Sequence, residues 1–180
     1  MSDSSHAISA VRTHLEMRRI SELRPAAKPR LDVTLQREQM TPDEYRALYS
    51  AVGDVWHWHD RLVMPDDELA AYFASPDVQL WILRVGGEKA GYFELRRHDD
   101  GSAEIVYFGL IAAHFGKGLG GWMLTKAVEH AFAMRPSHVT LHTCTLDSPR
   151  ALPNYLARGF SIVREEEYEV DPEPRAPASH

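Results

Sequence analysis

EIVYFGLIAAHFGKGLGGWMLTKAVEHAF, running from Glu104 to Phe132, is the stretch from which the rest of the chain can be read. Its opening segment, Glu104 to Ile111, is β-branched, aromatic and apolar, which suits a strand buried on at least one face. From Lys117 onward the period changes. Leu119, Met123, Leu124, Ala127, Val128, Ala131 and Phe132 recur at three- and four-residue steps, the stripe of an amphipathic helix. Between strand and helix stand Gly116, Gly118, Gly120 and Gly121. Glycines at a helix entry let backbone N–H groups approach a ligand with no Cβ in the way, and with the helix N-terminus they make a ring of donors suited to phosphate. A structural turn alone needs one or two glycines, so four point to an anion site.

Three phosphate motifs compete for this loop. The Walker pattern fails, because Ile111 stands where its first glycine belongs and Gly118 follows Lys117 where Ser or Thr is required. The dinucleotide pattern GxGxxG is literally met by Gly116, Gly118 and Gly121. Its context is poor: the acidic residue expected about 20 positions on falls near Leu141 and His142, and Ala112 to Phe115 separate the strand from the first glycine. The third reading fits better. Phe115-Gly-Lys-Gly118-Leu-Gly120 resembles the acyl-CoA loop [Q/R]-x-x-G-x-[G/A] of the GNAT superfamily of N-acyltransferases. Downstream, the segment Ser148 to Phe160, with Ala151, Tyr155 and Gly159 in register, is similar to that family's N-x-x-A-x-x-x-Y-x-x-x-G-F helix. The resemblance spans Val78 to Phe160 closely and Leu31 to Ser75 in outline, and departs at Phe115 and Ser148.

Composition sets the outer bounds. The 180 residues make one domain with a substantial core, and 44% hydrophobic with 26% charged residues is ordinary for a globular protein. A net charge of −6 with no basic run argues against a nucleic-acid partner. The single Cys144 excludes an internal disulfide framework, fits a reducing compartment, and reads as a core thiol within an apolar strand. The longest apolar run, Ile105 to Ala113, is about half of the roughly 20 residues a membrane span needs. With no signal-peptide pattern at the start, a cytoplasmic protein with no membrane partner is expected.

Residues 1–28 read as an N-terminal extension whose Val11 to Met17 alternate like an added edge strand, 29–170 as the catalytic domain, and 171–180 as a proline-rich disordered tail. Leu31, Val33 and Leu35 predict a half-buried strand. Thr41, Pro42 and Glu44 form a capping-box start for a helix with the buried stripe Tyr45, Leu48, Tyr49 and Val52. A second helix opens at Pro65 with Asp66, Asp67 and Glu68, complementing its dipole. Val78 to Val85 and Ala90 to Arg96 form a hairpin through Gly86-Gly87-Glu88-Lys89. The whole predicts a single α/β (α+β) domain: a mixed, mostly antiparallel sheet with helices on both faces.

The chemistry follows partly from residues and partly from the resemblance. The resemblance implies acetyl-CoA as acyl donor and no metal. It lays the pantetheine along Leu110, Ile111 and Ala112, the pyrophosphate on Gly116, Lys117, Gly118, Leu119, Gly120 and Gly121, and gives Ser148 a cofactor-side place. It assigns Tyr155 as the acid that protonates the departing thiolate. Strand alternation places Glu104, Val106, Phe108 and Leu110 on one side, so Glu104 is a partly desolvated carboxylate, the character of a general base. Glu104 also lies eleven residues before Phe115, the spacing of the catalytic glutamate in the histone-modifying branch of the family. Glu94, His57, His59 and water are its rivals. The connector Trp56-His-Trp-His-Asp-Arg61 is either a plug between helices and sheet or an acceptor pocket, in which Trp56, His57, Trp58 and Glu94 would touch the substrate. The spacing His57-x-His59-Asp60 permits a metal but has no partner motif beside it. The expected activity is direct acetyl transfer to a primary amine of a small molecule. A non-catalytic acyl-CoA sensor of the same fold stays open beside it, as does assembly as a homodimer.

Overall fold

The computed structural model describes residues 7–170; the tail expected at 171–180 lies outside it. One seven-stranded sheet runs in the order β2-β3-β4-β5-β6-β1-β7. The strands are β1 Ile8–Met17, β2 Val33–Arg37, β3 Val78–Val85, β4 Glu88–Arg97, β5 Ala103–Leu110, β6 Val139–Cys144 and β7 Ser161–Val170. Helices α1 Pro42–Gly53 and α2 Asp66–Ala74 cover one face; α3 Leu119–Ala133 and α4 Ala151–Arg158 cover the other. All strand pairs are antiparallel except β5 with β6, which α3 joins as a crossover. Among the described residues no helix is long and apolar enough to cross a membrane.

Local signals account for most of these elements. The Thr41 hydroxyl accepts from the Glu44 N–H and the Glu44 carboxylate accepts from the Thr41 N–H, so the capping box is complete. Thr41→Ala should lower stability by about 1 kcal/mol, read as a small drop in the urea midpoint with an unchanged slope. Gly86 and Gly87, both at positive φ, close the β3–β4 hairpin as a two-residue turn. The α3 stripe of Leu119, Met123, Leu124, Ala127, Val128 and Ala131 is buried against Phe93, Leu95 and Ile105 of the sheet.

Two expectations need correction. The N-terminal segment is not an edge strand, because β1 inserts between β6 and β7 and pairs with both. Ala10, Thr13, Leu15 and Met17 are accordingly buried. The second correction is the facing of β5. Glu94 pairs with Tyr107 but Leu95 pairs with Ile105, so Val106 is an extra residue, a β-bulge. The bulge breaks the two-residue alternation. Ile105, Phe108 and Leu110 pack with α3, whereas Tyr107 packs with α1. Glu104 therefore lies on the face opposite Phe108 and Leu110.

Candidate active site

Beyond the pairs Ala103–Val139 and Glu104–Thr140, β5 and β6 part. The Ile111 N–H donates to the Ala90 carbonyl on the β4 side. By the alternation of an antiparallel ladder, the backbone groups of Phe108 and Leu110 then point away from β4, into the gap. This gap opens a cavity of about 860 Å³. One end is the glycine loop, with Phe115, Gly116, Gly118, Leu119 and Gly120; the walls are β5 and the segment from His142 to Tyr155. The rest of the lining comes from Tyr49, the connector Trp56 to Arg61, whose Trp56 ring stands 6.4 Å from that of Phe115 in the loop, and Arg12, Tyr168 and Val170 of the outer strands.

At the loop, Gly118 is the N-cap of α3 with φ +72°, a left-handed conformation that favours glycine, and a Cβ there would meet nothing within 4 Å. The first residues of α3, Leu119 and Gly120, follow directly and line the cavity at the positive end of the helix dipole. Gly120 is fixed by Asn154, whose side-chain amide donates to the Gly120 carbonyl at 3.2 Å. Gly121 serves packing: a Cβ there would crowd Ala26 and the Arg158 guanidinium, and the residue does not line the cavity. Lys117 is also outside the lining, its Nζ 3.5 Å from His114 Nδ1. Ile111 and Ala112 lie outside it too, their carbonyls accepting from the His114 and Phe115 N–H groups. Leu110 does line it, and so does Ser148, whose Oγ accepts from the Arg150 N–H. Gly109 makes room for protein, since a Cβ there would collide with Val52 and touch Trp58.

Tyr155, on α4, stands between the loop and the connector. It is buried at 6% exposure, with its ring edge-on to Phe108 at 6.1 Å. Burial pushes its pKa up, and the Asp147 carboxylate adds to the rise, so the phenol keeps its proton at neutral pH.

The far end is aromatic. Trp58, Tyr49 and Tyr107 form a triangle with centroids 5.0–5.5 Å apart. Trp56, His57 and Trp58 all line the cavity, so the connector is a wall of it as well as a plug. Asp147 ties that wall to β6: it accepts from Trp58 Nε1 at 3.3 Å, from Thr143 Oγ1 at 2.7 Å and from the Cys144 N–H at 2.9 Å. Asp60 Oδ2 is 3.5 Å from the Tyr107 hydroxyl. Burial raises the pKa values of Tyr49 and Tyr107, that of Tyr49 to about 12.

The expected carboxylates are not where direct contact with a substrate needs them. Glu94 has no exposed surface and lies under the cavity floor. Its oxygens accept from Arg61 Nη2 at 2.6 Å, Tyr72 Oη at 2.5 Å and Tyr45 Oη at 2.8 Å. Burial alone would lower the Arg61 pKa, but the Glu94 carboxylate and the nearby tyrosines raise it and prevail, so the guanidinium is charged. Glu104 is absent from the cavity wall and borders a second hollow of about 660 Å³ with His14, His98 and His142. Cys144, read as a core thiol, is half-buried and lines the cavity. Tyr107, Asp147 and His142 are cavity residues that sequence reasoning passed over. Asp60 and Arg61, the last two residues of the Trp/His connector, line the cavity as well.

A sequence profile of the acetyltransferase (GNAT) family matches residues 39–160. A mycothiol acetyltransferase from Corynebacterium efficiens is 30% identical over 131 residues, which cover 68% of this chain but 43% of that protein. The chain thus spans less than half the length of this relative. Among solved structures, a Bacillus subtilis acetyltransferase in complex with CoA is similar at 20% identity and TM-score 0.57, covering 74% of this chain and 79% of that one. A GCN5-related N-acetyltransferase from Kribbella flavida is similar at 18% identity and TM-score 0.60, covering 93% and 59%. At those identities the structural likeness establishes the fold.

Proposed function

Since the chain belongs to the acetyltransferase (GNAT) family, we propose that it moves the acetyl group of acetyl-CoA to a primary amine of a small molecule by direct attack. The observation that carries this reading is the continuity of one cavity from the glycine loop, past the unpaired inner edge of β5 and Tyr155, to the aromatic end. In this reading the amides from Gly116 to Gly120 hold the pyrophosphate, with Lys117 and the Gly121 amide at the margin. The pantetheine runs beside Phe108 and Leu110 as an added strand would. Ser148 flanks the cofactor, while Ile111 and Ala112 shape the turn that follows it. Trp56, His57 and Trp58 receive the acceptor, beside Tyr49, Tyr107 and Asp60; Glu94 supports this end from below.

The geometry suits an amine. An aromatic triangle next to a carboxylate favours a cationic or uncharged nitrogen over an anion. Once the attacking nitrogen bonds to the thioester carbon, the departing sulfur needs a proton, and Tyr155 holds one at the wall between the two ends. Incubation with acetyl-CoA and a panel of amines should release free thiol only when both substrates are present. No thiol release with any amine would remove the transfer reading and leave an acyl-CoA-binding protein. Tyr155→Phe should lower turnover by about 10²-fold while the thermal shift given by acetyl-CoA persists. Equal losses in both would make Tyr155 a packing residue.

A further inference from the structure

His142 belongs to two hollows at once. It lines the main cavity, and it borders the second hollow with His98, Glu104 and Thr140. Its Nε2 stands 3.9 Å from Glu104 Oε1, and the other oxygen, Glu104 Oε2, is 2.6 Å from His98 Nε2. Resting on the amine-acylation reading above, we propose that His142 is the general base for the attacking nitrogen, with Glu104 as the positioning residue behind it and His98 as the proton's way to solvent.

Thr140 pairs with Glu104, the last rung before β5 and β6 part. Leu141 packs into the core beneath α3, so by alternation His142 emerges on the opposite face, the one that Tyr107 shares. It is the first such side chain of β6 past the point of divergence, directly across the gap that a thioester would enter. Four other ionisable groups that line the cavity are engaged or unsuited. Asp147 accepts three hydrogen bonds from Thr143, Cys144 and Trp58. Arg61 is a fixed cation against Glu94. Tyr49 and Tyr107, with raised pKa values, hold their protons at neutral pH.

The groups that face His142 are Glu104 from β5, Arg12 and His14 from β1, and Asp147 from the loop before α4. His14, 5.8 Å from the His142 ring, is itself held by Glu166 of β7 at 3.0 Å. Desolvation by the surrounding protein lowers the His142 pKa; Glu104 and Asp147 oppose it, while Arg12 and His14 reinforce it. The imidazole is therefore neutral at pH 7, as a base must be. Once it takes a proton, the imidazolium forms beside a carboxylate that already accepts from His98.

An ammonium gives one proton to His142 Nδ1, the ring nitrogen other than the one nearest Glu104, and the freed lone pair forms the C–N bond at the thioester carbonyl. The C–S bond breaks, and the sulfur takes the Tyr155 proton. The proton still on the acylated nitrogen returns to the Tyr155 oxygen, and the imidazolium proton leaves to solvent through Glu104 and His98.

The test uses the full chain with acetyl-CoA and the best amine of the panel, across pH 5.5 to 9.5. For His142→Gln, kcat/KM should fall by about 10²-fold near pH 7, with the loss shrinking as pH rises and the free amine forms unaided. The acetyl-CoA thermal shift should stay. For Glu104→Gln the acidic limb of the profile should move to lower pH, because the carboxylate that raises the His142 pKa is gone; Glu104→Asp should restore part of it. The His142 imidazole resonances should titrate at lower pH in Glu104→Gln than in the parent. A small, pH-independent loss in His142→Gln, or an unmoved acidic limb in Glu104→Gln, overturns the assignment. If no amine releases thiol, it is the transfer reading that fails. The resonance titration then decides the coupling alone, and an unmoved titration overturns it.

Discussion

Gly118→Asp should abolish the stabilisation that acetyl-CoA gives the parent protein. A ligand at 100-fold over its dissociation constant stabilises the state it binds by about 2.7 kcal/mol. In a domain of this size that is a rise in melting temperature of roughly 5–10 °C. Gly118 has φ +72° at the N-cap of α3, immediately before the unpaired amides. Aspartate tolerates that conformation better than most side chains, and nothing lies within 4 Å of the Cβ it adds, so the fold should survive. Its carboxylate, however, would sit at the positive end of the helix, cap the amides proposed for the pyrophosphate, and repel phosphates there. Gly118→Asn separates charge from shape and should keep part of the shift. If the parent shows no shift, acetyl-CoA is not its ligand; if Gly118→Asp keeps the full shift, the anion is held elsewhere.

How far the chain could be read without coordinates follows from where each feature's cause lies. The capping box at Thr41, the Gly86-Gly87 turn and the α3 stripe are local, decided within a few residues, and the sequence shows them plainly. The glycine loop is legible for the same reason. The bulge at Val106 is not local: Ile-Val-Tyr-Phe suits a regular strand as well as a bulged one, and the partner strand decides which forms. That single extra residue changed the face of Glu104. The alternation of Val11 to Met17 predicts a strand, but its interior position depends on β6 and β7, more than a hundred residues away. Glu94 is the sharpest case. A carboxylate in the run Ala90 to Leu95 looks like a cavity residue, while its partners Tyr45, Arg61 and Tyr72 come from three other segments that only the fold assembles.

Arg61→Met should destabilise the protein by about 3–5 kcal/mol, the cost of stranding one charge of a buried pair. Glu94 is fully buried and Arg61 nearly so, with Nη2 and Oε1 2.6 Å apart. The Arg61 guanidinium also stacks over Tyr72 at 4.2 Å and Tyr107 at 5.3 Å. Removing it leaves the Glu94 carboxylate with two phenolic donors and no countercharge in a desolvated floor. At roughly 2–4 °C per kcal/mol, the melting temperature should drop by about 10 °C. Methionine keeps most of the volume, so a packing loss contributes little. Glu94→Gln alone should also destabilise, because it strands the Arg61 cation. The double variant Arg61→Met/Glu94→Gln removes both charges and should recover much of the loss, giving a coupling energy of at least 1 kcal/mol in the double-mutant cycle. Additive losses would mean that the two residues act independently and that the floor is held by packing. The same pair anchors the connector that carries Trp56 and Trp58, so Arg61→Met should raise KM for the amine in the surviving folded fraction while leaving acetyl-CoA binding intact. A variant that loses stability but keeps the acceptor KM would separate the floor from the pocket above it.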